Sequence, residues 1–302
     1  MKNFKGNIFL LLAALIWGFA FVAQSEGLNY VGPFTFNGIR SIIGGIVLLP
    51  VALLTSKKTS SSQASSKKGL IVGGIVCGIF LAVATSLQQI GLGDPETTAG
   101  KAGFITALYI IIVPVFQIFC KKKIGKKTVT AIIVAIIGMY LLCLSDGIGS
   151  FAKGDLYVLA CAFVFSGHIM AIDKYSPKTN GVALSCVQFL TSGILCSAVM
   201  FIFESPDMSD IIAAAIPLLY TGVLSCGVAY TFQIIGQKHT SPTLATIIMS
   251  LESVFAALGG WMVLGEKMNT PEKIGSVLMF AAIIFAQLPD GFLRNSLLKK
   301  KD

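Results

Sequence analysis

Two charged side chains lie where charge is expensive. Arg40 sits in the apolar run 34–54 and Glu252 in the run 242–264. Inside a membrane such a charge costs about 3 kcal/mol or more, which makes each a functional candidate by default. The planar fork of Arg40 suits a carboxylate or phosphate. Glu252, about ten residues into its run, suits a proton or a cationic group. The structural alternatives are an ion pair between the two, or an Arg40 that reaches out toward the interface. Lys101, near the start of the run 99–119, is a weaker candidate, because reaching outward explains it as well as ligand binding does.

Neutral polar residues form stripes beside these charges. Tyr230, Gln233 and Gln237 stand at i, i+3 and i+7, one face of a helix, and Trp17, Phe21 and Gln24 make a similar stripe. Aligning Gly91 with Gly236 sets Gln88 opposite Gln233. Amides facing lipid are costly, so the stripes are expected to face an interior, either lining a polar cavity or joining helix to helix. The lone His168 reads more readily as an interior histidine than as a proton relay.

The elements that carry these residues are long apolar runs at 7–25, 34–54, 69–91, 99–119, 128–145, 154–173, 182–203, 211–236, 242–264 and 272–288. Hydrophobic residues make up 55% of the 302 and charged residues 12%, about half the usual charged share. About 20 apolar residues cross a bilayer, and lipid leaves no water to satisfy loose backbone groups, so transmembrane helices are expected. With the N-terminus inside, 18 Lys and Arg fall in the inner segments, 4 in the outer ones, and Arg40 within a span. That asymmetry predicts ten spans with both termini cytoplasmic, and it explains most of the +9 net charge without a nucleic-acid partner. The opening run is expected to be a retained helix and not a cleaved signal, because its counterpart at 154–173 is internal.

The pattern occurs twice, offset by about 148 residues. Gly6-Asn7-Ile8-Phe9-Leu10 opens one copy and Gly154-Asp155-Leu156-Tyr157-Val158 the other. Five spans per copy is an odd number, so the second copy must enter the membrane inverted. The expected units are residues 1–147 and 148–302, an all-α integral membrane protein of two inverted five-helix repeats. No Walker loop, GxGxxG, HExxH or GxSxG appears, so no ATPase or hydrolase chemistry is expected. The seven cysteines include no CxxC, and neither a metal nor a cofactor is expected.

Specific residues resemble a known family. Ile16-Trp17-Gly18-Phe19-Ala20-Phe21-Val22 is similar to the first-helix signature of EamA-type permeases of the drug/metabolite transporter superfamily. Arg40 sits where that family often has an arginine. Ser250-Leu251-Glu252-Ser253-Val254-Phe255-Ala256-Ala257-Leu258-Gly259-Gly260-Trp261, continuing through Leu264-Gly265-Glu266-Lys267, resembles its ninth helix. Ser253 departs from the proline often found there, which leaves the bend of that span open; Pro114 keeps a proline in the first copy. The resemblance implies a ten-helix carrier with a central cavity and alternating access.

The expected activity is secondary transport of a small polar metabolite across the cytoplasmic (plasma) membrane, not enzymatic. An amino acid or related zwitterion is favoured, because Arg40 and Glu252 offer both signs of charge. Export is one direction considered, and a proton one coupling partner. The expected site is Arg40, Glu252, Trp17, Gln24, Gln88, Lys101, Tyr230 and Gln233, in a monomer or homodimer. The rival readings are a lipid-linked-sugar flippase, a non-transporting scaffold and an intramembrane enzyme.

Overall fold

A computed structural model describes residues 2–59, 67–97, 99–122, 124–143, 152–264 and 270–287. Its long helices are α1 (Lys2–Gly27), α2 (Pro33–Thr59), α3 (Lys67–Leu92), α4 (Ala99–Phe119) and α5 (Lys126–Cys143), then α6 (Lys153–Tyr175), α7 (Gly181–Phe203), α8 (Ala215–Gln237), α9 (Pro242–Val263) and α10 (Thr270–Gln287). Among the described residues, eight of these are long and apolar enough to cross a membrane, all except α5 and α10. Those two are 18 residues each, a little under a usual span, and they pack on one another. The close approach depends on Gly138, where a Cβ would stand 2.8 Å from the Gly275 carbonyl. The Ser/Lys-rich run Thr55–Lys68 is helical at both margins, through Thr59 and from Lys67. Its middle, the join at 146–151, Gly265-Glu266-Lys267 and the basic residues beyond 287 lie outside the described residues.

Polar contacts sort the helix ends into two sets. At the near end, where α1 starts, Thr240 Oγ1 donates to Asn7 Oδ1 (3.1 Å), Thr243 Oγ1 to Gln117 Oε1 (2.5 Å), and Lys122 pairs with Asp173 (3.1 Å). At the far end, where α1 finishes, Glu204 after α7 accepts from Phe34 N (2.9 Å), Thr35 N (2.7 Å) and Thr35 Oγ1 (2.6 Å). Those N–H groups open α2 and have no partner within their own helix, so the carboxylate both caps α2 and ties it to α7. Also at the far end, Asp94 Oδ2 accepts from Gly154 N (2.9 Å). The Glu96 and Gly154 amides hold the Asp94 carboxyl below the usual carboxylate range.

The main partners of the early helices are late ones. α2 packs on α7, α3 on α6 and α7, and α1 on α8 and α9. Three helices are irregular near mid-length. α4 is interrupted at Ala107–Leu108, before Pro114, and α9 at Ser250–Leu251, just before Glu252. At both breaks the bonds shorten to i→i−3, as in Ile110 N to Ala107 O (3.0 Å) and Ser253 N to Ser250 O (3.2 Å). The α9 interruption needs no proline at Ser253. α8 follows wide π turns over Tyr220–Ala229, a geometry that recurs at functional sites.

Candidate functional site

The irregular segments face one cavity between α1, α2, α3, α4, α6, α8 and α9. Arg40 comes from α2, where it follows Asn37 by one turn and is 4% exposed. Its Nη1 donates to Gln24 Oε1 at 2.8 Å, and the guanidinium carbon lies 5.4 Å from the centre of the Phe36 ring. Among the described residues the rest of the fork makes no bond to protein. Gln24 is fixed from behind, since Gln89 Nε2 donates to its backbone carbonyl at 3.1 Å.

Glu252 starts the second segment of α9 and is also 4% exposed. Tyr109, at the matching point of α4, donates its hydroxyl to Glu252 Oε1 at 2.8 Å. Arg40 and Glu252 are not an ion pair with each other; among the described residues those pairs are Lys101–Asp155 and Lys122–Asp173. The cavity thus holds a guanidinium and a carboxyl group that do not bond each other. That arrangement can receive a solute carrying both signs, each in a low-dielectric wall where a charge-assisted bond is strong.

Neutral groups complete the wall. Gln88 Nε2 donates to Thr106 Oγ1 at 3.1 Å. The Trp17 ring meets Tyr230 edge-on at 4.7 Å between centroids, and Phe189 braces Tyr230 from behind at 5.2 Å. Among the described residues Trp17 Nε1 and Gln233 Oε1 are buried without a hydrogen-bond partner, one donor and one acceptor left over for solute or water. Gln237, last of its stripe, instead bonds Ile169 O at 3.2 Å and joins α8 to α6.

Seven of the eight expected site residues therefore share this cavity: Arg40, Glu252, Trp17, Gln24, Gln88, Tyr230 and Gln233. Lys101 does not line it. It pairs with Asp155 at 2.6 Å at the far end, because α6 opens there with a buried carboxylate that needs a cation. His168 lies behind Tyr230 and shares a hydrogen bond of 3.1 Å with Gln188. Sequence reasoning missed Thr106, Tyr109, Phe165, Ile169, Ser225 and Met249 in the lining. The spacing of Thr106 and Tyr109 was a usable signal, since two polar groups at i and i+3 in an apolar run mark one buried face.

Comparison with known proteins follows the same lines. The EamA-like transporter family model matches twice, over residues 4–144 and 152–287. An uncharacterized transporter of Archaeoglobus fulgidus is 30% identical over 289 residues, 95% of this chain and 87% of its own length. The uncharacterized transporter YoaV of Bacillus subtilis is 23% identical, covering 91% of this chain and 94% of its own. The chloroplastic WAT1-related protein At3g02690 of Arabidopsis thaliana is 24% identical over 93% of this chain and 69% of its own. A solved crystal structure superposes with a TM-score of 0.72 at 18% identity, over 93% of this chain and 96% of that one, which shows a shared fold. Matched in both halves and along nearly its whole length, the chain belongs to the EamA-like transporter family, in the drug/metabolite transporter superfamily, and is a membrane transporter and not an enzyme.

Proposed function

We propose that this transporter carries a small zwitterion, with an amino acid as the leading class, by alternating access through the cavity between Arg40 and Glu252. The carrying observation is a guanidinium and a carboxyl group that line one cavity without bonding each other. Arg40 takes the solute's carboxylate through the free part of its fork. Glu252 takes the amine or a coupling proton, with Tyr109 orienting the carboxylate. Trp17 and Tyr230 form an aromatic wall, while Gln88 and Gln233 supply amides.

In this reading α5 and α10 also cross, giving ten spans with both termini cytoplasmic in the plasma membrane. Residues 1–147 and 148–302 are then inverted repeats. Reciprocal packing supports the repeat: α1 on α8 answers α6 on α3, while α2–α7 and α5–α10 pair like with like. Three irregular helices meeting at the cavity fit the way such carriers build a midplane site.

The test is a thermal-shift screen of the purified protein against amino acids, followed by counterflow in liposomes. A bound zwitterion should raise apparent stability and exchange across the bilayer. If no zwitterion does either, and a lipid-linked sugar does both, the protein is a flippase and this reading falls.

A further inference from the structure

Beyond the cavity, the bundle carries the same contact twice, once at each end. At the near end Gly6 faces Gly236: a Cβ on Gly6 would stand 3.0 Å from Gly236 O, and one on Gly236 2.9 Å from Gly6 O. At the far end Gly154 faces Gly91: a Cβ on Gly154 would stand 2.6 Å from Gly91 O, and one on Gly91 2.7 Å from Gly154 O. Gly6 and Gly154 each open a repeat, and Gly91 and Gly236 are the aligned glycines of α3 and α8. Beside each contact the next residue in the chain bonds a threonine that precedes the following helix. Asn7 Oδ1 accepts from Thr240 Oγ1 at 3.1 Å, two residues before α9 begins. Asp155 Oδ1 accepts from Thr97 Oγ1 at 2.9 Å, two residues before α4 begins.

The two bridges differ in chemistry, with Asn7 in one and Asp155 in the other. The near-end bridge is neutral, amide to hydroxyl. In the far-end bridge Asp155, with none of its surface exposed, also accepts from Ala152 N at 2.9 Å and pairs with Lys101 at 2.6 Å. We infer that Asn7–Thr240 and Thr97–Asp155 are two gating latches over the central cavity, one at each end, and that Asp155 with Lys101 makes the far latch the harder to open. This rests on the alternating-access reading, since a gate at each end is what that motion requires. Both latches are closed in this structure. Their inequality biases which end opens first: identical latches give no preference, whereas here the Asn7–Thr240 bond is the easier of the two to break. Lys101 thereby acts on gating, away from solute.

The experiment places a reporter cysteine at Thr106, in the cavity wall, and measures its labelling by a membrane-impermeant maleimide from each face of the vesicle. Labelling of the otherwise identical protein without that cysteine is subtracted. Asp155→Asn keeps the shape and a neutral bond but removes the charge, and it should raise labelling from the far face by roughly fivefold to tenfold. Thr240→Val should raise labelling from the opposite face by roughly threefold to fivefold, as expected for a neutral hydrogen bond. Gly154→Ala and Gly236→Ala, which wedge the same contacts apart, should repeat the two results. Rises from one common face, equal rises from both faces, or no rise in either variant overturn the latches. Counterflow of zwitterions is measured in parallel. Altered labelling without flux keeps the latches and removes the zwitterion reading; flux with unaltered labelling does the reverse.

Discussion

Glu252→Gln separates a solute-binding carboxylate from a structural one. Glu252 has one partner among the described residues, the Tyr109 hydroxyl at 2.8 Å. Glutamine keeps the side-chain length and a carbonyl oxygen, so that bond survives as a neutral one, at a cost of about 1 kcal/mol in the protein itself. What disappears is the attraction for a cation. A unit charge about 4 Å away gains about 4 kcal/mol at an effective dielectric near 20. Desolvating the ammonium takes back much of this, and a hydrogen bond to a charged group nets about 1.5–3 kcal/mol. A zwitterionic solute should therefore bind roughly tenfold to a hundredfold more weakly. The same solute without its amine should bind both proteins about equally. Isothermal titration in lipid nanodiscs gives the two affinities. An equal loss for both compounds, or none for either, refutes the assignment of Glu252 to the amine.

Four further outcomes are expected. Arg40→Lys keeps the charge and loses the fork, so uptake of a carboxylate solute should fall by about tenfold, and Arg40→Ala should lower it further; flux unchanged in both at equal expression makes Arg40 structural. A cysteine at Ser209 should label from outside and one at Ser61 from inside, and labelling of both from one side sinks the ten-span topology. Gly18→Ala should destabilise the fold, because its Cβ would stand 2.6 Å from Phe255 C and 2.7 Å from Ala256 N, backbone atoms that cannot give without moving α9; an unchanged unfolding temperature refutes the contact. The depressed pKa of Asp94 means its bonds stabilise the fold above about pH 4, the unfolded value, and weaken as pH falls through the lower folded value. Asp94→Ala should thus lower the unfolding temperature at neutral pH by an amount that shrinks in acid, and a constant difference down to about pH 3 counts against a stabilising role for the Asp94 bonds.

Much of the cavity was legible because lipid penalises polar groups so heavily. Arg40, Glu252, Gln88 and Gln233 had to face inward wherever their helices stood, so composition alone pointed at them. Lys101 was not decided by that rule. It sits at a helix end, where water, a solute or an acid can each satisfy it, and the acid that does so is 54 residues along the chain. The helix breaks were only half visible. Pro114 announces a disturbance in α4, yet the interruption falls at Ala107–Leu108, and α9 breaks at Ser250–Leu251 with no proline beside it. In α9, Ser250 Oγ donates to Ile247 O at 2.8 Å and Ser253 Oγ to Gly103 O at 3.4 Å, so local hydroxyl bonds and the neighbouring helix shape the turn. Tyr109 was missed although its spacing from Thr106 marked a buried face; its role became plain only with its partner, 143 residues away.

The Glu204 clamp on α2 has a bearing on how the chain is made. The amides of Phe34 and Thr35 wait for a carboxylate synthesised 170 and 169 residues later. The apolar faces of α1, α2 and α3 likewise meet their main partners only when α6, α7 and α8 have left the ribosome. For most of translation the first half is a set of inserted helices without their neighbours, dependent on lipid or on the insertion machinery for company. Much of the packing of these helices can thus form only late in synthesis. A ribosome that stalls after α5 leaves a product that membrane quality control can recognise by its open helix ends. The two halves, expressed as separate chains, should recover the fold only when they are made together.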